Sequence, residues 1–159
     1  MNRERLQHLI TVLENAALRQ INAPTEFLFN MNYFVVNGDS LSGDTEVVPE
    51  FCGMAACAFG SAALDPTFQG MGLIPKVECN DVEFDGFLGF EAGAEFFDIN
   101  SAEAEFLFDP SEYSDRYMRE GVPEDFYLDF EVDQNIKPKH VIRRVKFLLE
   151  DNEIGSLIN

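Results

Sequence analysis

Residues 52–66 read CGMAACAFGSAALDP, a run of little side-chain bulk in a chain otherwise rich in phenylalanine, with 16 Phe and no Trp. Small residues constrain a fold because they let two backbones approach closely. Gly53, Ala56, Gly60 and Ala63 recur at three-and-four spacing, which predicts a helix over 51–64 that presents a flat strip to another element. Asp65-Pro66 ends it, since proline disfavours helical geometry in the residue before it.

Other elements follow from periodicity. Leu6, Leu9, Ile10, Leu13, Ala16 and Ala17 form an apolar stripe that predicts an amphipathic helix over 2–19. TEFLFNMNYFVV, residues 25–36, alternates and reads as extended. DPTFQGMGLIP reads as a turn-rich connector, and VECNDVEFDG, residues 77–86, as a short strand or hairpin. FEAGAEFFDI and SAEAEFLF predict two short helices, the second capped by Ser101. Residues 109–136 read as irregular, and PKHVIRRVKFLLEDN as a helix with Val141, Ile142, Val145, Leu148 and Leu149 on one stripe. The length of 159 residues fits one hydrophobic core. The expected fold is therefore mainly α with a minor β component: a compact single domain over 1–159, several helices with a few short extended strands, an exposed loop at 37–48 and a frayed C-terminal tail at 150–159.

Charge sets the second constraint. The chain carries 29 Asp plus Glu against 11 Lys plus Arg, a formal net charge of −18. Residues 78–133 concentrate 18 carboxylates against only Arg116 and Arg119. Such a field repels nucleic acid and anionic membranes and attracts basic partners. The carboxylates expected to meet a partner are Glu91, Glu95, Asp98, Glu103, Glu105, Asp109, Glu112 and Asp115, acting as phosphate substitutes. Five of the cations cluster in KPKHVIRRVKF, which reads first as a solvated helix face and otherwise as internal pairing with the acidic middle or a face for an acidic neighbour.

Catalytic signatures are sparse. Cys52, at the start of the small-residue run, is the runner-up catalytic candidate, because a helix N-terminus lowers a thiol pKa. A base would have to come from His8 or His140, both of which read as helix-surface residues. Cys57 reads as a small core hydrophobe. Three cysteines and two histidines lack the paired spacing of a zinc site. DVEFDGFLGFEA resembles a calcium loop only in its first half, since Ala92 occupies the twelfth place. The expectation is no metal and no cofactor. An odd cysteine count, no signal-peptide pattern and no membrane-length apolar run lead to a soluble cytoplasmic protein.

Taken together, FLFNMNYF, FCGMAACAFGSAALDPTFQGMGL, GFEAGAEFFDINSAEAEFLFDPSEY and a terminal helix resemble an uncharacterised family of small proteins from tailed phages, prophages and mobile elements. The shared features are a CG-x-x-A-C-x-x-G-x-A-A motif and an EFF-x-I-x-x-x-EAE-x-LFDP-x-x-Y block, spanning residues 25–149. The resemblance implies a common fold and, through its phage and mobile-element setting, action in a host cytoplasm; it brings no activity. Many of those proteins carry Thr at the place of Met54 and His at the place of Ser61, so a site built on that histidine would be missing here. The functional expectation is a non-enzymatic acidic protein that inhibits a basic host factor of the nucleic-acid-binding kind, as a DNA mimic in anti-defence or host takeover. The alternatives are a thiol-dependent enzyme using Cys52 and an assembly partner of a phage protein.

Overall fold

A computed structural model describes residues 1–24, 26–37, 54–128 and 136–156. The domain is mainly helical with short strands. Helix α1 spans Arg3–Asn22 and is capped by Asn2, whose side chain accepts from the Arg5 N–H. It buries Leu6, Leu9, Ile10, Leu13 and Ala16, the expected stripe. Strands β1 (Phe27–Phe29) and β2 (Val35–Asn37) follow, separated by a turn within the segment expected to be extended. The exposed loop expected at 37–48 lies outside the described residues apart from Asn37, which closes β2.

The small-residue run departs from the expected helix over 51–64. Residues 51–53 lie outside the described part; Met54–Ala56 form strand β3, and only Ala58–Ala63 form a helix, α2. β3 is the centre of a three-stranded sheet, parallel to β1 and antiparallel to β2, with Leu28 and Val36 flanking Ala55. The reason is tertiary: Ala and Gly favour or tolerate several backbone states, and pairing on both sides outweighs helix propensity. Cys57 turns the chain, and its sulfur accepts from the Gly60 N–H at 3.3 Å as the N-cap of α2.

Close approach, the other half of that expectation, is realised. A Cβ placed on Gly60 would overlap the carbonyl oxygen of Phe34 and stand 3.2 Å from the Ala56 Cβ. The backbone before β2 thus lies directly on α2, and it also accepts from the Cys57 N–H through the Tyr33 carbonyl at 2.7 Å.

Asp65 caps a short helix, α3 (Pro66–Gly70), inside the expected connector, accepting from the Thr67 and Phe68 N–H groups. A second, antiparallel sheet follows in the order β4 (Ile74–Lys76), β5 (Asp81–Phe84), β6 (Phe87–Leu88). Asp85 and Gly86 both have positive φ at the β5–β6 turn, the geometry that makes Asp-Gly a tight hairpin turn. The stretch that resembles a calcium loop is therefore a hairpin leading into α4 (Gly89–Phe97). Helix α5 (Ser101–Phe108) is capped by Asn100 rather than Ser101, because Asn100 places Glu103 at the third position and completes a reciprocal capping box. Three 3-10 turns, at Pro110–Tyr113, Asp115–Tyr117 and Glu124–Phe126, lie in the described part of the segment expected to be irregular. Helix α6 (Pro138–Leu149) then packs against α1 and α5.

The core joins these elements through phenylalanine. Phe59 stacks on Phe108 at 5.1 Å between ring centres, and Phe68, Phe84 and Phe97 each meet Phe96 edge-on at 5.0–5.1 Å. Through residue 156 the tail is tied rather than frayed: Glu120 N–H donates to the Ser156 carbonyl, and Gly155 N–H to that of Glu120. No helix among the described residues is long and apolar enough to cross a membrane.

The contact at Gly60 yields a direct test. Gly60→Ala is expected to lower stability by about 1–3 kcal/mol through overpacking, read as a fall in the denaturant midpoint at unchanged slope. A midpoint equal to that of the wild type would show that the Phe34 backbone does not rest on α2.

Candidate functional site

The acidic middle of the chain divides into carboxylates that hold the fold together and carboxylates that face solvent. Glu112 belongs to the first group, contrary to its expected role as a phosphate substitute. It is 5% exposed and grips Arg119 through two bonds of 2.7 Å, Arg119 Nε to Oε2 and Nη2 to Oε1. Those bonds hold the Arg119 pKa above its ordinary value, since they favour the charged form. The sequence places Glu112 in a 3-10 turn directly after α5, and Arg119 returns to it one turn later.

Several other expected partner-binding carboxylates have local structural roles. Glu103 closes the capping box of α5, and Asp109 accepts from the N–H and the hydroxyl of Ser111. Asp98 ends α4 in the left-handed conformation and pairs with the Met1 ammonium at 2.9 Å. Glu105 approaches Arg119 at 3.3 Å while half exposed. Glu91, Glu95 and Asp115 are exposed and form no ion pair among the described residues. Glu91 and Glu95 stand one turn apart on the same face of α4.

The cations explain why this acidity is left uncompensated. Arg143 on α6 pairs with Asp125 and covers the Phe126 ring at 4.0 Å, the internal pairing that the sequence suggests. Arg144 corrects the solvated-face reading. It is fully buried, donates 2.6 Å bonds from Nη1 to the Phe106 carbonyl and from Nη2 to that of Glu112, and lies 3.7 Å from the centre of the Tyr113 ring. Burial lowers its pKa, the cost of a charge removed from water. The Phe106 carbonyl belongs to the last turn of α5, where unpaired carbonyls and the helix dipole favour a cation. The sequence signal was present: Arg144 sits at the same three-and-four spacing as Val141, Val145 and Leu148, an arginine in an apolar stripe. Arg5 likewise donates to the Phe96 carbonyl and lies over the Phe96 ring, Arg3 pairs with Asp151, and Lys76 pairs with Glu83.

The thiol candidates separate clearly. Cys57 is buried as expected, and burial pushes its pKa up to about 11. Cys79 is exposed, and Cys52 lies outside the described residues. His8 is no ordinary surface residue: its Nε2 donates to Asp65 Oδ1 at 3.0 Å, and its ring meets Phe68 edge-on at 4.7 Å. It thereby ties α1 to the cap of α3. His140 Nδ1 accepts from the Lys137 N–H at the start of α6. Among the described residues no three His, Cys, Asp or Glu side chains converge to hold a metal ion.

Comparison with protein-family models, with curated proteins and with solved structures finds no match to this chain.

Two expectations follow. Arg144→Met should cost about 3 kcal/mol or more, because the Phe106 and Glu112 carbonyls lose charge-assisted partners; a denaturation curve matching the wild type would contradict that role. At pH 8 Cys57 should escape alkylation in the folded protein and react once it is unfolded, as read by peptide mass mapping. Its unfolded thiol ionises near 9 and the buried one only at about 11, so this group's contribution to stability is complete below pH 9 and disappears as pH rises through that window.

Proposed function

We propose that this protein is a non-enzymatic binding protein that docks exposed carboxylates of the α4–α5 region on a cationic surface of the kind nucleic-acid-binding proteins present. The observation that carries the reading is an asymmetry of use. Arg3, Arg5, Lys76, Arg119, Arg143 and Arg144 all hold groups of the protein itself, while Glu91, Glu95 and Asp115 remain exposed in a chain of net charge −18. Carboxylates set on a helix can occupy a groove built for phosphates, and the resulting field speeds encounter with a basic partner. Glu91 and Glu95 repel one another at a cost of a few tenths of a kcal/mol, which a docking role would offset.

The resemblance to phage and mobile-element proteins extends the proposal to a host target: a defence or transcription factor whose nucleic-acid site is blocked in the host cytoplasm. Glu91, Glu95 and Asp115 are the docking residues of choice, since Glu103, Asp109 and Glu112 already serve the fold.

The test is a triple charge reversal, Glu91→Lys, Glu95→Lys and Asp115→Lys, compared with the wild type against a basic protein captured from host lysate at low salt and then purified. The variant should melt as the wild type does and bind at least tenfold more weakly. Wild-type affinity should fall steeply as salt rises to physiological strength, where the screening length is about 8 Å, and duplex DNA should displace it. Binding that is insensitive to salt, or that DNA never displaces, would overturn the reading and leave acidity that serves solubility alone.

A further inference from the structure

A cavity of about 150 Å³ opens between α1, β1 and the corner where α2 meets α3. Its lining is mixed in a specific way. Phe27 and Leu64 supply apolar wall, Asn15 and Arg19 come from one face of α1, and Ser61 and Asp65 come from the α2–α3 corner. Ser61 is 5% exposed, and its hydroxyl oxygen is closed off from solvent with no hydrogen-bond partner among the described residues. The volume is several times the roughly 30 Å³ share of one water, and the cavity opens to solvent, so a small organic molecule can enter it with part of its surface outside.

Two charged groups line the same space without pairing with each other. The Arg19 guanidinium lies 5.1 Å from the centre of the Phe27 ring and forms no ion pair among the described residues. Asp65 directs one oxygen, Oδ1, to the Thr67 and Phe68 N–H groups and to His8 Nε2, and its Oδ2 takes no hydrogen bond among the described residues. A fixed carboxylate and a cation across one small, partly apolar cavity suit a molecule that carries both opposite charges. A net-neutral zwitterion is also the species that a protein of charge −18 does not repel, unlike a free carboxylic acid anion.

We propose that this cavity is a binding site for a small zwitterion of α-amino-acid type with a short apolar side chain. Arg19 takes the carboxylate, Asp65 takes the ammonium through Oδ2, and Phe27 and Leu64 enclose the side chain. His8 positions Asp65 from behind. The site is separate from the exposed carboxylates of α4 and needs none of them.

Three matched probes test it by amide chemical-shift titration of the full chain: L-valine, isovalerate, which lacks the ammonium, and isobutylammonium, which lacks the carboxylate. L-Valine should give saturable shifts at Asn15, Arg19, Ser61 and Asp65, and each of the other two should bind at least tenfold more weakly. Arg19→Gln, at an exposed position, should weaken L-valine at least tenfold while the melting curve stays unchanged; Ser61→Val, which fills the cavity, should abolish saturation if it folds. Glu91→Lys with Glu95→Lys should leave L-valine binding intact. Absence of saturable shifts at these residues up to tens of millimolar, equal binding of all three probes, or full affinity in Arg19→Gln would overturn the proposal.

Discussion

A charged guanidinium with no carboxylate partner among the described residues organises the C-terminal half of this protein. Arg144 is fully buried, and its hydrogen bonds go to backbone carbonyls from the end of α5 and from the 3-10 turn after it, with a longer 3.4 Å approach to the Phe126 carbonyl. Phe106, Tyr113 and Tyr127 present ring faces within 3.7–5.3 Å of it. Carbonyl dipoles and aromatic quadrupoles are the groups able to hold a cation away from water without neutralising it. Tyr113 in turn donates from its hydroxyl to the Leu107 carbonyl, so α5, its following turn and α6 are joined through one side chain and its neighbour. Short 3-10 turns could not hold a position by their own hydrogen bonds; here they are ordered around a charge.

That arrangement decides the character of the surface. Glu112 lies beside Arg144 through its carbonyl and holds Arg119 through its carboxylate, so an acidic segment is stitched to the core by the arginines closest to it. Buried arginines act on packing, and the carboxylates not needed for them remain outside. The surface is therefore more acidic in effect than composition alone implies, because cations that count toward the net charge are engaged inside.

Legibility of the candidate site in the sequence follows from this division. Glu91 and Glu95 were readable, because i and i+4 on an amphipathic helix whose other face carries apolar Ala92, Phe96 and Phe97 must face solvent. Glu112 was not, because its burial depends on an arginine seven residues later that reaches it only after two tight turns. His8 looked like a surface residue because Gln7 and Thr11 share its side of α1 with solvent; only the packing of α3 against that helix brings Asp65 to it. Ser61 gave no sign that its hydroxyl would be buried without a partner among the described residues: a serine among alanines reads as one more small residue.

By itself the sequence determined the helical identity of α1, α4, α5 and α6, a short strand or hairpin over 77–86, the burial of Cys57 and the need for a close backbone approach at Gly60. Each depends on local periodicity, turn chemistry or side-chain volume, which act over a few residues. Tertiary structure alone decided that Met54–Ala56 is a strand, which groups Arg144 meets inside, and that Arg19, Ser61 and Asp65 share a cavity. Met54, Ala55 and Ala56 have helix propensity of their own, a weak preference that pairing with β1 on one side and β2 on the other outweighs. An arginine in an apolar stripe is stable only if carbonyls and rings from three distant segments converge on it, and that convergence is a property of the assembled fold.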